Sequence, residues 1–425
     1  LEMVMESVFA ICDVFFVSRL GANAVATVGL SESLLTLVFS LAIGLSMGTT
    51  ALVARRTGEK NPEGAGVAGA QAILIGLLAS LVLGGIGMLT GPAALSLLGA
   101  SEDVLAIGSG YARILLGGCG TVMLLFIINA IFRGAGDAAV AMRVLWLANL
   151  INLILDPCLI FGLGPFPELG VAGAAVATTI GRGVGVLYQF WVLARGTSRI
   201  RIGLSEIRLA TAVMRTLLRV SLGGIFQVLV ATCSWVALVR IIALFGSTAV
   251  AGYTIAIRVV IFSILPAWGM ANAAATLVGQ NLGAGKPDRA ERSAWLTGLY
   301  NMVFLGCIAV LFLVFGGSII GLFSRDPGVL AVGVECLRII SYGYLFYALG
   351  MVVVQAFNGA GDTTTPSLIN FFCYWLLQIP LAYWLAVSSD LGPRGVFWAI
   401  AIAEAMITVV GASLFRLGRW KKRQV

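Results

Sequence analysis

Apolar runs follow one another along almost the whole of this 425-residue chain, and they constrain its fold more than any other feature. About 20 apolar residues in a helix are enough to cross a bilayer, and these runs lack the alternation of barrel strands. Within a bilayer only a helix or a closed barrel satisfies its own backbone. We therefore predict an all-α polytopic membrane protein with twelve spans, at about 1–19, 24–53, 64–89, 104–129, 139–162, 170–194, 219–243, 249–278, 289–317, 331–356, 366–387 and 394–415.

Composition excludes most other classes. The chain is 60% hydrophobic and 11% charged, whereas about a quarter of the residues of a soluble domain are charged. It contains no histidine, the commonest metal ligand and general base. All seven cysteines lie in apolar runs without close pairing, so we expect neither a disulfide framework nor a resident metal site. We expect no enzyme activity and no cofactor.

The chain divides into two repeated halves. Phe132-Arg-Gly-Ala-Gly-Asp137 corresponds to Phe357-Asn-Gly-Ala-Gly-Asp362 at a shift of 225, and other segments keep that register over more than a hundred residues. We predict an N-lobe of six spans at 1–195, a cytoplasmic linker at 196–218 and a C-lobe of six spans at 219–425. An even number of spans per repeat implies a pseudo-two-fold axis along the membrane normal. Transporters built this way bind substrate between the halves and alternate its access.

Positive charges predict the orientation. Alternate loops and the tail carry 19 lysines and arginines, against three (Arg19, Arg325 and Arg394) on the other side. The positive-inside rule therefore places both termini in the cytoplasm, with the protein in the cell inner membrane. The net charge of +8 arises from these loops, so we expect no nucleic-acid partner. Because the chain begins at Leu1, we also expect residues to precede it.

The fifth span carries a polar face. At 3.6 residues per turn Asn149, Asn152 and Asp156 lie on one side of the helix, among leucines and isoleucines. Pro157 follows directly and disturbs the hydrogen-bond ladder one turn earlier. Ionisable groups at membrane depth are costly and rare, and they indicate an ion or proton pathway. We predict a cation or proton site here.

Other carboxylates extend this hypothesis. Glu2, Glu6 and Asp13 share one stripe of the first span, which leads toward Asp13. Glu6 is a candidate proton relay, although an interfacial position near the start of the span explains it equally. Glu404 in the twelfth span is a second candidate relay, with pairing to an arginine as the alternative. We further expect Glu335 to pair with Arg338 within one helix.

The run from Leu277 to Glu291, the two Gly-Ala-Gly-Asp turns and Asp13 with the later Ser-Arg-Leu-Gly resemble the multidrug and toxic compound extrusion (MATE) family. The resemblance covers nearly the whole chain. It implies two six-helix lobes in a V around a central cavity. It also implies export of organic, often cationic, compounds in exchange for protons or sodium ions.

One branch of that family, the DNA-damage-inducible type, resembles this chain most. The resemblance implies an N-lobe cation site formed by Asp13, Asn152, Asp156 and Thr178. The C-lobe acids of another branch are missing, because the seventh span has none and the tenth has only Glu335 near its start. We favour proton coupling for that reason. Na⁺ at Asp13, Asn152 and Asp156 stays open.

The second half is rich in aromatic residues, whose faces attract organic cations. The candidate lining of a substrate cavity consists of Gln227, Trp235, Tyr253, Trp268, Tyr347 and Asn358. An interfacial aromatic belt with ordinary packing is the alternative explanation of the same residues.

We therefore predict a monomeric secondary antiporter that exports small organic, often cationic, compounds by alternating access. A flippase of a lipid-linked saccharide is the alternative within the same superfamily, although such proteins usually have fourteen spans. A channel or receptor without coupled transport is the alternative of another class. An acidic cluster in only one repeat argues against a symmetric pore.

Overall fold

A computed structural model of the chain describes residues 15–203 and 205–423, and every regular element in these ranges is helical. The helices are α1 (Ala22–Gly58), α2 (Pro62–Leu97), α3 (Glu102–Gly117), α4 (Cys119–Gly134), α5 (Ala138–Phe161), α6 (Val171–Arg195), α7 (Thr211–Ala243), α8 (Ser247–Gly283), α9 (Pro287–Gly321), α10 (Pro327–Gly359), α11 (364–388, with π-helical segments Phe371–Gln378 and Trp384–Ser388) and α12 (Pro393–Arg416). Short 3₁₀ turns occupy Ser18–Leu20 and Arg419–Lys422.

The predicted all-α membrane class is confirmed. Eleven helical stretches in the described ranges are long and apolar enough to span a bilayer, and they match predicted spans two to twelve one for one. Span four consists of α3 and α4, which meet at Gly118. The first span lies almost wholly outside the described residues. The chain divides into unit 1 (Leu1–Ser221) and unit 2 (Leu222–Val425). Helix α7 begins at Thr211, so its first two turns occupy the end of the stretch for which we predict a linker.

Backbone conformation follows the sequence repeat. Helices α1 and α8 both have 37 residues, and each begins after a glycine with positive φ, 103° at Gly21 and 91° at Gly246. The glycines of the two Gly-Ala-Gly-Asp turns, Gly136 and Gly361, have φ of 84° and 82°. Left-handed conformations of this kind favour glycine because it has no Cβ. Glycines at equivalent positions of the two repeats therefore mark equivalent helix boundaries in both units.

Each unit has a central helix. In unit 1, α4 is buried over nearly its whole surface, including Met123, Ile127 and Phe132. In unit 2 the buried face of α10 packs with α8 and α12, where the rings of Tyr253 and Phe397 stack 6.1 Å apart. A helix that is apolar on all sides is suited to such a position. The outer helices expose leucine, valine and phenylalanine side chains, as expected for surfaces facing lipid.

One predicted ion pair is wrong. Glu335 pairs across helices with Arg394 at the start of α12, with 2.6 Å between Oε1 and Nε, rather than with Arg338 in its own helix. The spacing of three residues permits an intrahelical pair, but Arg394 offers a partner at the end of a neighbouring helix. Sequence spacing alone does not contain that tertiary contact.

Candidate functional site

Helix α5 places two polar side chains one turn apart in the interior of unit 1. Asn152 and Asp156 are both fully buried. The amide nitrogen of Asn152 donates a hydrogen bond to Oδ1 of Asp156 over 3.2 Å. Leu150, Leu153 and Ile154 of the same helix point outward and are exposed. The amphipathic spacing in α5 therefore directs the carboxylate and amide away from lipid.

Small residues of α6 allow it to approach α5 closely. A Cβ on Gly181 would lie 2.9 Å from the carbonyl oxygen of Ala148, and one on Gly185 would lie 3.2 Å from Val144. Gly173 similarly faces the backbone of Leu159. Small residues at four-residue spacing allow membrane helices to pack backbone to backbone. The glycines of α6 thus bring its polar residues within reach of the polar face of α5.

That approach adds Thr178 to the cluster. Its hydroxyl oxygen lies 3.4 Å from the amide nitrogen of Asn152, and the side chain is buried. Asn152, Asp156 and Thr178 therefore form one hydrogen-bonded group, which we call the α5–α6 polar cluster. The amide oxygen of Asn152 accepts no hydrogen bond from the described residues. Carboxylate, amide and hydroxyl oxygens are suited to a proton or to a hard cation.

Two further residues border this cluster. Asn149 is buried one turn before Asn152, and its amide nitrogen donates to the backbone carbonyl of Leu145 over 2.9 Å. Arg182 follows Thr178 by one turn, is buried, and holds its guanidinium 5.8 Å from the ring centre of Phe39 in α1. The sequence interpretation did not assign Arg182 to the site. Its spacing of four residues from Thr178 is the signal that places both on one face.

The carboxylates predicted in the first span, Asp13 and Glu6, lie outside the described residues. The two halves align at a shift of 225 up to Asp137 and at a shift of 222 from Leu169 onward, so Asp156 corresponds to Leu381 or Gln378 of α11. The α5–α6 polar cluster therefore has no acidic counterpart at that place in α11.

Unit 2 instead contains a mainly apolar cavity of about 40 Å³, large enough for water-sized groups. Its lining includes four of the residues that sequence analysis singled out, Trp235, Tyr253, Tyr347 and Glu404. The Tyr374 hydroxyl donates to the Glu404 carboxylate over 2.9 Å, so its partner is a phenol and not the arginine that was the alternative to a relay role. Three other predicted residues lie elsewhere.

Those three are Gln227, Trp268 and Asn358. Gln227 is buried in α7 and Trp268 is half-buried in α8, and neither lines the cavity. The amide nitrogen of Asn358 donates to Gln355 over 2.7 Å, and that of Gln355 donates to Asn272 over 2.6 Å. A buried pair that we did not predict joins α7 to α11, where the Ser234 hydroxyl donates to Gln378 over 2.9 Å. Two polar residues within apolar spans were its only sequence signal.

Comparison with known proteins identifies the family to which this chain belongs. The family model described as MatE matches residues 1–158 and 224–384, which is most of both halves. This chain belongs to the MatE family. The predicted family is confirmed, whereas the DNA-damage-inducible branch stays a prediction.

Relatives within the MatE family match along nearly their whole length. The chain is 28% identical to the probable multidrug resistance protein NorM of Thermotoga maritima, over 100% of this chain and 91% of that protein. It is 27% identical to the FAD transporter of Shewanella oneidensis, over 94% and 88%. A crystal structure of MATE in complex with MaL6 aligns with a TM-score of 0.92 at 25% identity, covering 99% of this chain and 94% of that one.

The MatE family is a family of transporters, so the chain is a multi-pass membrane transporter. The long apolar helices, the sequence repeat and the family membership all support this assignment.

Proposed function

We propose that the protein is a secondary active multidrug antiporter, which exports amphipathic, often cationic organic compounds in exchange for protons. The observation that carries this proposal is the full burial of Asp156 beside Asn152 and Thr178 in a membrane-spanning unit. A carboxylate at this depth costs several kcal/mol unless it is compensated, so such a group is kept for ion movement. The names of the NorM-type relatives support the substrate class.

Protonation of Asp156 would alter its cluster directly. The ionised carboxylate accepts the Asn152 amide proton, whereas a protonated carboxyl also has a hydrogen to donate. The same amide nitrogen of Asn152 lies near Thr178 on α6. Protonation of Asp156 would therefore alter the packing of α5 against α6. A carboxylate that gains a proton from one side and loses it to the other couples proton entry to a change of conformation.

We expect Asp13 of the first span to complete this site. Glu6 and Glu404 remain candidate proton relays. Na⁺ is the alternative coupling ion, with oxygens of Asn152, Asp156 and Thr178 as candidate ligands and further oxygens needed. The ion would be transported and not retained as a cofactor. We further propose that the protein is a monomer in the cell inner membrane with both termini in the cytoplasm, according to its loop charges.

We propose that the substrate reaches the aromatic faces of Trp235, Tyr253 and Tyr347 beside Glu404 in a conformation where their water-sized cavity is wider. Aromatic faces and a carboxylate both attract organic cations. A second candidate substrate class is a flavin nucleotide, because the chain is 27% identical to a relative named as an FAD transporter. The positive charge of a drug and the negative charge of a nucleotide make the two candidates easy to separate.

Purified protein in proteoliposomes tests the proposal. Transport of ethidium and of FAD is followed under a pH gradient alone and under a Na⁺ gradient alone. We expect the pH gradient to drive ethidium movement, with no response to Na⁺. Ethidium transport that requires Na⁺ and ignores the pH gradient would contradict proton coupling, and transport of FAD alone would contradict the proposed substrate class.

A further inference from the structure

A second groove in unit 2 shares no lining residue with the cavity beside Glu404. It has a volume of about 560 Å³ and lies between α11, α12 and the chain that follows α12. This volume falls within the range of roughly 300–1,000 Å³ that is usual for small-molecule sites. We call it the α11–α12 groove. Its lining residues are Phe357, Asp362, Thr365, Leu368, Ile369, Phe372, Cys373, Leu377, Met406, Val410, Leu414, Leu417, Arg419 and Trp420.

The walls of the groove are those of a site open to hydrocarbon. Leu368, Phe372, Met406 and Leu417 are each more than 40% exposed, as expected of apolar side chains that face lipid. Helix α11 takes a π-helical form over Phe371–Gln378, which includes the groove residues of its middle. Such wider turns are uncommon and are frequent at functional sites. A chain of methylene groups is the natural occupant of these walls.

The end of the groove is polar and rigidly built. Gly418, two residues after the end of α12, has φ of 69°, and Trp420 folds back so that its ring stacks 4.4 Å from that of Phe415. The Trp420 indole nitrogen also donates to the Phe415 carbonyl over 2.8 Å. Trp420 is completely buried. This anchor fixes the 3₁₀ turn that carries Arg419 at the mouth of the groove.

The charged side chains at the mouth of the groove favour the binding of an anion. Asp362, the acidic residue of the groove, already contacts Arg423 over 3.3 Å and accepts the Thr365 hydroxyl over 2.7 Å. Lys421 is engaged by Asp288 and Glu291. Among the residues that the structure describes, Arg419 has no carboxylate partner. An arginine in this position forms forked hydrogen bonds with a phosphate.

We propose that the α11–α12 groove binds one anionic glycerophospholipid, with an acyl chain along Phe372, Met406 and Val410 and the headgroup phosphate at Arg419. The inference rests on the orientation proposed above, which places this end of α12 at the cytoplasmic leaflet. Basic residues at that end of a membrane helix are suited to anionic lipid headgroups. A bound lipid would join α11 to the basic tail.

Native mass spectrometry of the detergent-purified protein, titrated with dioleoylphosphatidylglycerol or dioleoylphosphatidylcholine, tests this site. We expect one phosphatidylglycerol to bind more tightly than phosphatidylcholine. Arg419→Gln should weaken phosphatidylglycerol binding by about tenfold through loss of charge-assisted hydrogen bonds to the phosphate, and weaken phosphatidylcholine binding less, because the choline group already offsets the charge of its phosphate. Arg292→Gln, which removes an exposed cation of α9 on the same predicted side, should change neither.

A second variant tests the apolar part of the groove. Val410→Phe places a larger side chain on the groove wall and should weaken the binding of both lipids. Equal affinity for the two lipids, or unchanged phosphatidylglycerol binding by Arg419→Gln, would overturn the proposal and indicate ordinary annular lipid. Because lipid binding is measured without a gradient or a drug, this result is independent of whether the proposed antiport is correct.

Discussion

The amide nitrogen of Asn152 lies 3.2 Å from Oδ1 of Asp156, one turn away along a helix that crosses the membrane. Both side chains are fully buried. A buried hydrogen bond to a charged group contributes about 1.5–3 kcal/mol, and loss of one partner leaves the other uncompensated. The pair therefore stabilises a local arrangement that depends on the charge of Asp156.

Asn152→Leu tests this dependence. It removes the amide donor that contacts both Asp156 and Thr178, so the ionised carboxylate loses a stabilising hydrogen bond. We expect ethidium transport driven by a pH gradient to fall and its pH profile to shift from that of the wild type. Asn301→Leu is the matched control, because this buried asparagine lies in α9 of unit 2 and its amide donates to the backbone carbonyl of Ala348. An equal shift in both variants would contradict a specific role of Asn152.

The close approach of α5 and α6 predicts a position-specific effect of one methyl group. Gly181→Ala would place its Cβ 2.9 Å from the Ala148 carbonyl oxygen, whereas the nearest atom to a Cβ at Gly183 is 3.7 Å away. Overpacking of this kind costs about 1–3 kcal/mol. We expect Gly181→Ala to lower both thermal stability and transport, measured by thermal unfolding and ethidium flux.

Gly183→Ala is the control in the same helix. It should keep wild-type stability or gain slightly, since alanine favours a helix more than glycine does. If both variants unfold at the wild-type temperature, the glycine contact does not set the distance between α5 and α6.

Tyr374→Phe tests the phenol that faces Glu404. The variant keeps the ring but removes the donor of the 2.9 Å hydrogen bond, and an unsatisfied acceptor costs up to about 1–3 kcal/mol, less at a part-buried position such as this one. We expect a lower unfolding temperature, and a changed pH profile of transport if Glu404 relays protons. Tyr300→Phe, at an exposed tyrosine of α9, should have no effect on either measurement. A stable Tyr374→Phe variant with wild-type transport would remove Glu404 from the account.

The loop that contains Glu206 lies outside the membrane-spanning helices, and we expect one of its contacts to be sensitive to acid. Hydrogen bonds from the Ser205 hydroxyl and the Gly203 N–H, the former the larger effect, lower the pKa of Glu206 from its usual value. A lowered folded-state pKa means that the contribution of Glu206 is present above the unfolded pKa and is lost as pH falls through the folded one. Hydrogen exchange of the 203–210 segment, corrected for intrinsic rates, should accelerate on acidification.

Glu206→Gln should remove most of that acceleration, because the amide does not ionise. An exchange rate that depends on pH equally in the variant and the wild type would contradict the assignment to Glu206.

Much of the fold and part of the candidate site could be predicted from sequence patterns. Long apolar runs must become helices in a bilayer, so spans two to twelve were predictable. Spacing within α5 was enough to place Asn152 and Asp156 on one face. Thr178 entered only through family resemblance, because the glycine contact between α5 and α6 is tertiary and has no local signature. The same limit explains the error at Glu335.

Other features depended on details that periodicity does not contain. The break at Gly118 and the π-helical segments of α11 are local departures from regular helix. The Tyr374 partner of Glu404 lies 30 residues away in sequence. Hydropathy indicates none of these three features. An apolar run predicts a helix, but it predicts neither the irregular turns of that helix nor the residues that pack against it.

Proton release on drug binding tests the central claim most directly. Tetraphenylphosphonium is added to the detergent-purified protein in weak buffer, bound ligand is quantified in parallel, and the protons released per bound ligand are measured. The account predicts release by the wild type and by Glu168→Gln, at an exposed loop acid, and its loss in Asp156→Asn. Undiminished proton release per bound ligand in Asp156→Asn would contradict the role of that carboxylate.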